Sequence, residues 1–352
     1  MHRASAVLPA PNLRMAEREP DRSLRYLSRM ATITVALLLL AGCGGDGATG
    51  SGGQTGGGSP TPGTGGSNPG QVPLGFSYKT TALQGNANDF GGEANQEGLS
   101  GFRYRSGQAF GGVTESIYIK DNSTDSRFDH RLLAPSANID DLIIQANAQG
   151  AEGYRFRGNL VFDPGGADET VALYTRNSAV VAAYAYEARE PDNTAAGRLS
   201  QLNDQGVRGY RYISDFVFGG TTTRSLYASN TSEAARYVYQ LLDTPTDSAA
   251  FLQQLTEQGD SGSRFRGTIF LATDGVTRSI FVSRPEQGAR YAYQFETPAT
   301  TPESFVSRAT ELGAQRLLYQ ADLQFGTQVQ SLYVDVTQCA CQPLRLSDPF
   351  TD

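Results

Sequence analysis

The chain has 352 residues, a formal net charge of −7 and no tryptophan. Residues 1–42 hold six arginines and three acidic residues, which leaves 23 basic and 33 acidic side chains beyond them, a net charge of −10. An acidic domain repels phosphate backbones, so the composition argues against nucleic-acid binding. His130 is the only histidine beyond residue 42. Because zinc usually takes four ligands, we expect neither a metal nor a cofactor.

The predicted signal segment is organised around an apolar run at residues 31–42. Three arginines precede the run: Arg22, Arg25 and Arg29. Twelve residues are too few for a membrane span, which needs about twenty. The pattern therefore predicts a signal peptide at 1–42, with Met15 and Met30 as alternative starts.

The signal peptide ends in Leu40-Ala41-Gly42-Cys43. This segment resembles the lipobox of bacterial lipoproteins, which implies a diacylglycerol on the Cys43 sulfur and a membrane anchor. Gly44 stands where an inner-membrane retention signal would place Asp, so the resemblance favours the outer membrane. The alternative is an ordinary signal peptide followed by a cysteine that occurs there by chance. Residues 43–72 are rich in Gly, Ser and Pro and predict a flexible tether, because such a segment has too little apolar surface to form a core.

Five related motifs dominate residues 73–352, the predicted repeat domain. Each reads Gly-x-x-Gly-x-Arg-aromatic or a variant of it, and the first glycines lie 52 to 56 residues apart, a spacing typical of tandem structural repeats. The motifs run over Gly98–Tyr104, Gly150–Phe156, Gly206–Tyr212, Gly259–Phe265 and Gly313–Tyr319.

The sequence around each motif predicts a βαββ unit. An alternating strand comes first, then an amphipathic helix, the motif strand and a third strand. We expect the first glycine of each motif to end its helix in the left-handed conformation. Gly91 and Gly92 weaken the predicted first helix, and Leu318 replaces the arginine in the fifth unit.

The predicted fold is therefore α+β, with five tandem βαββ units of about 54 residues. We expect each unit to be an antiparallel meander with one helix. The spacing leaves two arrangements open, a stacked row and a propeller-like ring. The predicted units are residues 75–120, 128–176, 182–229, 236–283 and 290–336, followed by a terminal strand at 343–347. The segment Leu202–Tyr210 is similar to short, uncharacterised bacterial βαββ domains, a resemblance that implies no activity.

The repeated arginines are the candidate ligand-binding residues: Arg103, Arg155, Arg211 and Arg264. If the units circle an axis, equivalent arginines form a ring able to hold carboxylate or phosphate groups. The alternative is that each arginine pairs locally and covers apolar surface with its stem. The motif aromatics, such as Tyr154 and Phe156, are expected in the core rather than on a binding platform.

Two cysteines near the C-terminus, Cys339 and Cys341, form a candidate disulfide if the chain is exported. A five-fold β/α arrangement also resembles the pentein fold of guanidine-modifying enzymes. That resemblance would give one of these cysteines and His130 catalytic roles. No other catalytic motif occurs, so we expect a non-catalytic binding or structural module of the bacterial cell envelope, held at the membrane by its lipid, with an unidentified protein or glycan as partner.

Overall fold

The computed structural model describes residues 75–163 and 168–338, which form five units of three strands and one helix. The predicted βαββ order is confirmed in each unit. Cys43, Cys339, Cys341, the tether and the predicted strand at 343–347 lie outside the described residues. The first unit consists of β1 (Phe76–Ala82), α1 (Ala87–Leu99), β2 (Arg103–Phe110) and β3 (Val113–Asp121), and the second of β4 (Phe128–Leu133), α2 (Ile139–Ala151), β5 (Arg155–Phe162) and β6 (Glu169–Asn177). The third unit consists of β7 (Tyr184–Arg189), α3 (Ala195–Val207), β8 (Arg211–Phe218) and β9 (Thr222–Asn230), and the fourth of β10 (Val238–Asp243), α4 (Ser248–Asp260), β11 (Arg264–Leu271) and β12 (Val276–Ser283). The fifth unit consists of β13 (Arg290–Glu296), α5 (Pro302–Ala314), β14 (Leu318–Phe325) and β15 (Gln328–Gln338).

Each unit forms a three-stranded antiparallel sheet whose third strand lies in the centre, in the order β1-β3-β2 for the first unit. The predicted meander is therefore wrong, since a meander would keep the strands in chain order. Both β1 and β2 are antiparallel to β3, so they run parallel to each other. Parallel strands need a crossover connection, which the helix supplies, and the returning third strand fills the place between them.

All five helices have 13 residues and begin at a side chain that accepts a backbone N–H. Helix α1 keeps this length despite Gly91 and Gly92, because its Asn86 cap and the buried Phe90 and Ala94 match those of a regular unit. The capping residues are Asn86, Asn138, Thr194, Asp247 and Thr301. Within the described residues, no helix is long and apolar enough to cross a membrane.

In the first four motifs the second glycine, not the first, has the left-handed conformation, and in the fifth motif Arg316 takes that place with a φ of 73°. Gly153 has a φ of 84°, and its N–H bonds to the Gly150 carbonyl at 2.9 Å. The next N–H, of Tyr154, reaches the Gln149 carbonyl at 3.0 Å, which completes a Schellman motif. The prediction for Gly150 is wrong because the helix continues through it for one more residue, Ala151.

The first glycine instead permits a close approach between units. A Cβ added to Gly150 would lie 2.2 Å from the Tyr184 carbonyl oxygen, in the first strand of the next unit. The same contact recurs at the other four motifs, with distances of 1.9 to 2.2 Å. The pairs are Gly98 with Phe128, Gly206 with Tyr237, Gly259 with Tyr291 and Gly313 with Phe76. Each helix thus packs against the first strand of the following unit, and α5 packs against β1, so the order of contacts is cyclic.

Candidate ligand-binding site

The four motif arginines begin strands β2, β5, β8 and β11, directly after the Schellman turn. All are buried: Arg103 is 7% exposed, Arg155 5%, Arg211 1% and Arg264 3%. Leu318 takes the same place in the fifth unit and is also buried. The arginines therefore lie inside the domain, where a guanidinium group has a far larger electrostatic effect than at the surface.

In four of the five motifs, the residue after the arginine, or after Leu318 in the fifth unit, lies at a joint between two units. The Phe156 N–H donates to the hydroxyl of Tyr186, in the following unit, at 2.8 Å. Three further joints repeat this bond at 2.7 to 2.8 Å: Tyr212 with Tyr239, Phe265 with Tyr293 and Tyr319 with Tyr78. The last joins the fifth unit to the first. Phe156 itself is 2% exposed and packs on Tyr174, as expected for a core aromatic.

A second arginine position follows two residues later, where the motif strands are irregular. The register shifts between Phe265 and Gly267, and Arg266 occupies that irregularity. Arg105, at the equivalent place in β2, donates from Nη2 to the Gln320 carbonyl of the fifth unit at 2.6 Å. The sequence analysis missed this second position. The available signal was the Arg-aromatic-Arg triplet, which occurs in three of the five motifs.

Arginines of three units interact electrostatically. Burial and the positive charges of Arg211, Arg264 and Arg155 hold the pKa of Arg266 well below its usual range. These four residues (Arg155, Arg211, Arg264 and Arg266) are called the arginine cluster below. Nε and both Nη atoms of Arg264 have no hydrogen-bond partner among the described residues, nor does Nε of Arg266. The cluster is thus a concentration of positive charge in which the donors of Arg264 have no hydrogen-bond partner among the described residues, and this favours the binding of an anion.

Arg103 contacts two residues of the second unit. Its guanidinium stacks over the Phe128 ring at 5.8 Å, a cation–π contact with the following unit. It also lies close enough to His130 to lower the pKa of that histidine. The structure therefore brings three of the four predicted arginines into one cluster and places the fourth beside His130.

His130 replaces a tyrosine at one joint between units. It has the position in β4 that Tyr78, Tyr186 and Tyr239 have in their own strands, and it is 6% exposed. Neither ring nitrogen has a hydrogen-bond partner among the described residues. Burial, Arg157 and Arg103 lower the His130 pKa to about 4, against smaller opposing effects of Asp129 and the Ala94 carbonyl. The imidazole is therefore neutral at pH 7.

His130 should make the domain sensitive to mild acid. A histidine that binds protons less readily in the folded state stabilises folding fully above its unfolded pKa of about 6.5, and that stability is lost as the pH falls toward 4. We expect the wild type to lose about 2 kcal/mol between pH 7 and pH 5 through this group alone. In His130→Tyr, the loss of stability that comes from histidine protonation should be absent. Urea unfolding of both proteins at the two pH values measures the difference, and equal losses would contradict the prediction.

Surface recesses offer weaker candidates. A cavity of about 280 Å³ borders Glu296, Arg308 and Tyr333, but the Arg308 guanidinium already bonds to the Glu296 carboxylate at 2.9 and 3.0 Å. These charged groups satisfy each other. No group of three or more potential metal-ligating side chains occurs in the part of the chain that the structure describes.

Comparisons with known proteins identify no relative of this chain. No family model matches the chain, and searches of curated proteins and of solved structures find no significant match.

Proposed function

We propose that this protein is an exported bacterial lipoprotein, anchored through Cys43 to the outer membrane, whose repeat domain is a non-catalytic binding module of the cell envelope. The arginine cluster supports the binding role. Three units each contribute a buried arginine from the same strand position, and no donor atom of the Arg264 side chain has a hydrogen-bond partner in the part of the chain that the structure describes. An uncompensated buried charge is costly unless a partner neutralises it, so this arrangement favours the capture of an anionic group.

The proposal includes closure of the five units into a ring. Helix α5 packs on β1 in the way that each earlier helix packs on the strand of the next unit. Hydrogen bonds between the fifth unit and the first include Tyr319 to Tyr78 at 2.7 Å, Arg105 to Gln320 at 2.6 Å and Gln108 to Asp322 at 2.7 Å. In a ring, the motif strands of all five units would face a common centre, with the arginines around it.

The anchor is tested by metabolic labelling with a radioactive or clickable fatty acid. The wild-type protein should take up label and fractionate with membranes, whereas Cys43→Ala should do neither. Cys339→Ala is the matched control and should label like the wild type. If Cys43→Ala still incorporates the fatty acid, the lipobox assignment is wrong. If all three proteins remain unlabelled and are cleaved nearby, an ordinary signal peptide is the correct alternative.

A further inference from the structure

We infer that the arginine cluster binds a phosphate-type oxyanion, an assignment that rests on the anion-binding function proposed above. Arg264 is the leading observation. It is 3% exposed, and none of its three side-chain nitrogens has a hydrogen-bond partner among the described residues. A guanidinium group offers five N–H donors, and burying them unsatisfied costs free energy that an anion would recover.

The geometry favours an oxyanion with oxygens on several sides. Arg155, Arg211 and Arg264 start three different strands, and Arg266 extends from the irregular residue of β11. A single carboxylate is planar and typically receives one bidentate guanidinium. A phosphate group carries a larger charge and has three or four acceptor oxygens, so it can accept hydrogen bonds from guanidinium groups of several strands at once. The shared chemistry would suit inorganic phosphate or a phosphate monoester.

One member of the cluster is in contact with solvent. Arg155, Arg211 and Arg264 are buried, but Arg266 is only half-buried and keeps contact with solvent. Arg266 is therefore the member of the cluster that an anion from solvent would meet first.

Phosphate binding is tested on the folded repeat domain within the full exported chain, by thermal unfolding and calorimetry at constant ionic strength. Inorganic phosphate should raise the unfolding midpoint of the wild type. Arg264→Gln should weaken phosphate binding by about tenfold or more, because it removes a charged donor from the site. Without phosphate, the same variant should unfold at a higher temperature than the wild type, because an unsatisfied buried cation is gone. Arg290→Gln, which removes an exposed arginine, is the control and should retain wild-type binding.

The outcomes distinguish phosphate binding from the binding of anions in general. Arg266→Gln provides a second variant should Arg264→Gln not fold, and it should also weaken phosphate binding. Citrate serves as the comparison anion. If citrate but not phosphate gives a shift that depends on Arg264, the phosphate assignment fails and the anion-binding module stands. If neither anion gives such a shift, or if all variants respond equally, both proposals fail.

Discussion

Gly313→Ala should destabilise the domain by about 3 kcal/mol, because the added methyl group would collide with a backbone oxygen. The new Cβ would lie 2.2 Å from the Phe76 carbonyl oxygen of β1, and backbone at a packed joint has little room to move. Chemical denaturation gives the change in the free energy of unfolding. Gly259→Ala, which meets the Tyr291 carbonyl at 2.1 Å, should lose a similar amount.

The matched control is Gly92→Ala in helix α1. Nothing lies within 4 Å of a Cβ at this position, so alanine should stabilise the domain by about 0.5–1 kcal/mol through its higher helix propensity. The sign of the effect at Gly313 therefore decides the arrangement of the units. In a ring, α5 touches β1 and Gly313→Ala is destabilising. In an open row, the joint is absent and Gly313→Ala should behave like Gly92→Ala.

Arg198→Met should destabilise the domain by about 3 kcal/mol, because it leaves a carboxylate without its partner. Arg198 is 1% exposed and occupies the helix position that Phe90 and Phe251 have in their units. Its two Nη atoms bond to Asp215 at 3.1 and 3.2 Å. Removal of the guanidinium leaves the Asp215 carboxylate with the hydrogen bond from the Ser225 hydroxyl but without the arginine charge.

The double variant Arg198→Met/Asp215→Asn separates the loss of a partner from the loss of packing. It should recover much of the stability, since a buried ion pair contributes little once both charges are removed. Arg208→Met removes an exposed arginine paired with Glu187 and should change the free energy of unfolding by less than about 1 kcal/mol. No recovery in the double variant would show that the methionine side chain itself disrupts the core.

The sequence was sufficient to predict the units but not their mutual arrangement. Apolar periodicity and turn residues are local properties, so the βαββ order follows from them. The central place of the third strand depends on the crossover, which no local pattern encodes. The contact that keeps Gly150 free of a side chain is made with Tyr184, more than thirty residues later in the chain. A repeated glycine in a helix could signal a close contact, but its partner could not be read from spacing.

The candidate site could also be predicted only in part from the sequence. The position of the arginines in the motif pointed to a shared role, and the burial of all four could not be inferred from an alternating pattern. Arg266 was missed because an irregular residue in a strand breaks the alternation on which the analysis depended. The substitution of His130 for a tyrosine was visible in the repeats. Its consequence could not be read from the sequence, because the hydrogen bond made by Tyr186 at the equivalent position joins residues of different units.

The hydrogen bond between Tyr78 and Tyr319 joins residues 241 positions apart, so the first and fifth units can meet only when the whole domain has been synthesised. Joining the ends of so long a chain has an entropic penalty, and contacts of this kind form late in folding. During synthesis, the first unit would therefore keep one apolar face uncovered until the fifth has been made. The last strands to be synthesised complete the domain, and a truncation within them should expose the first unit as well as the fifth.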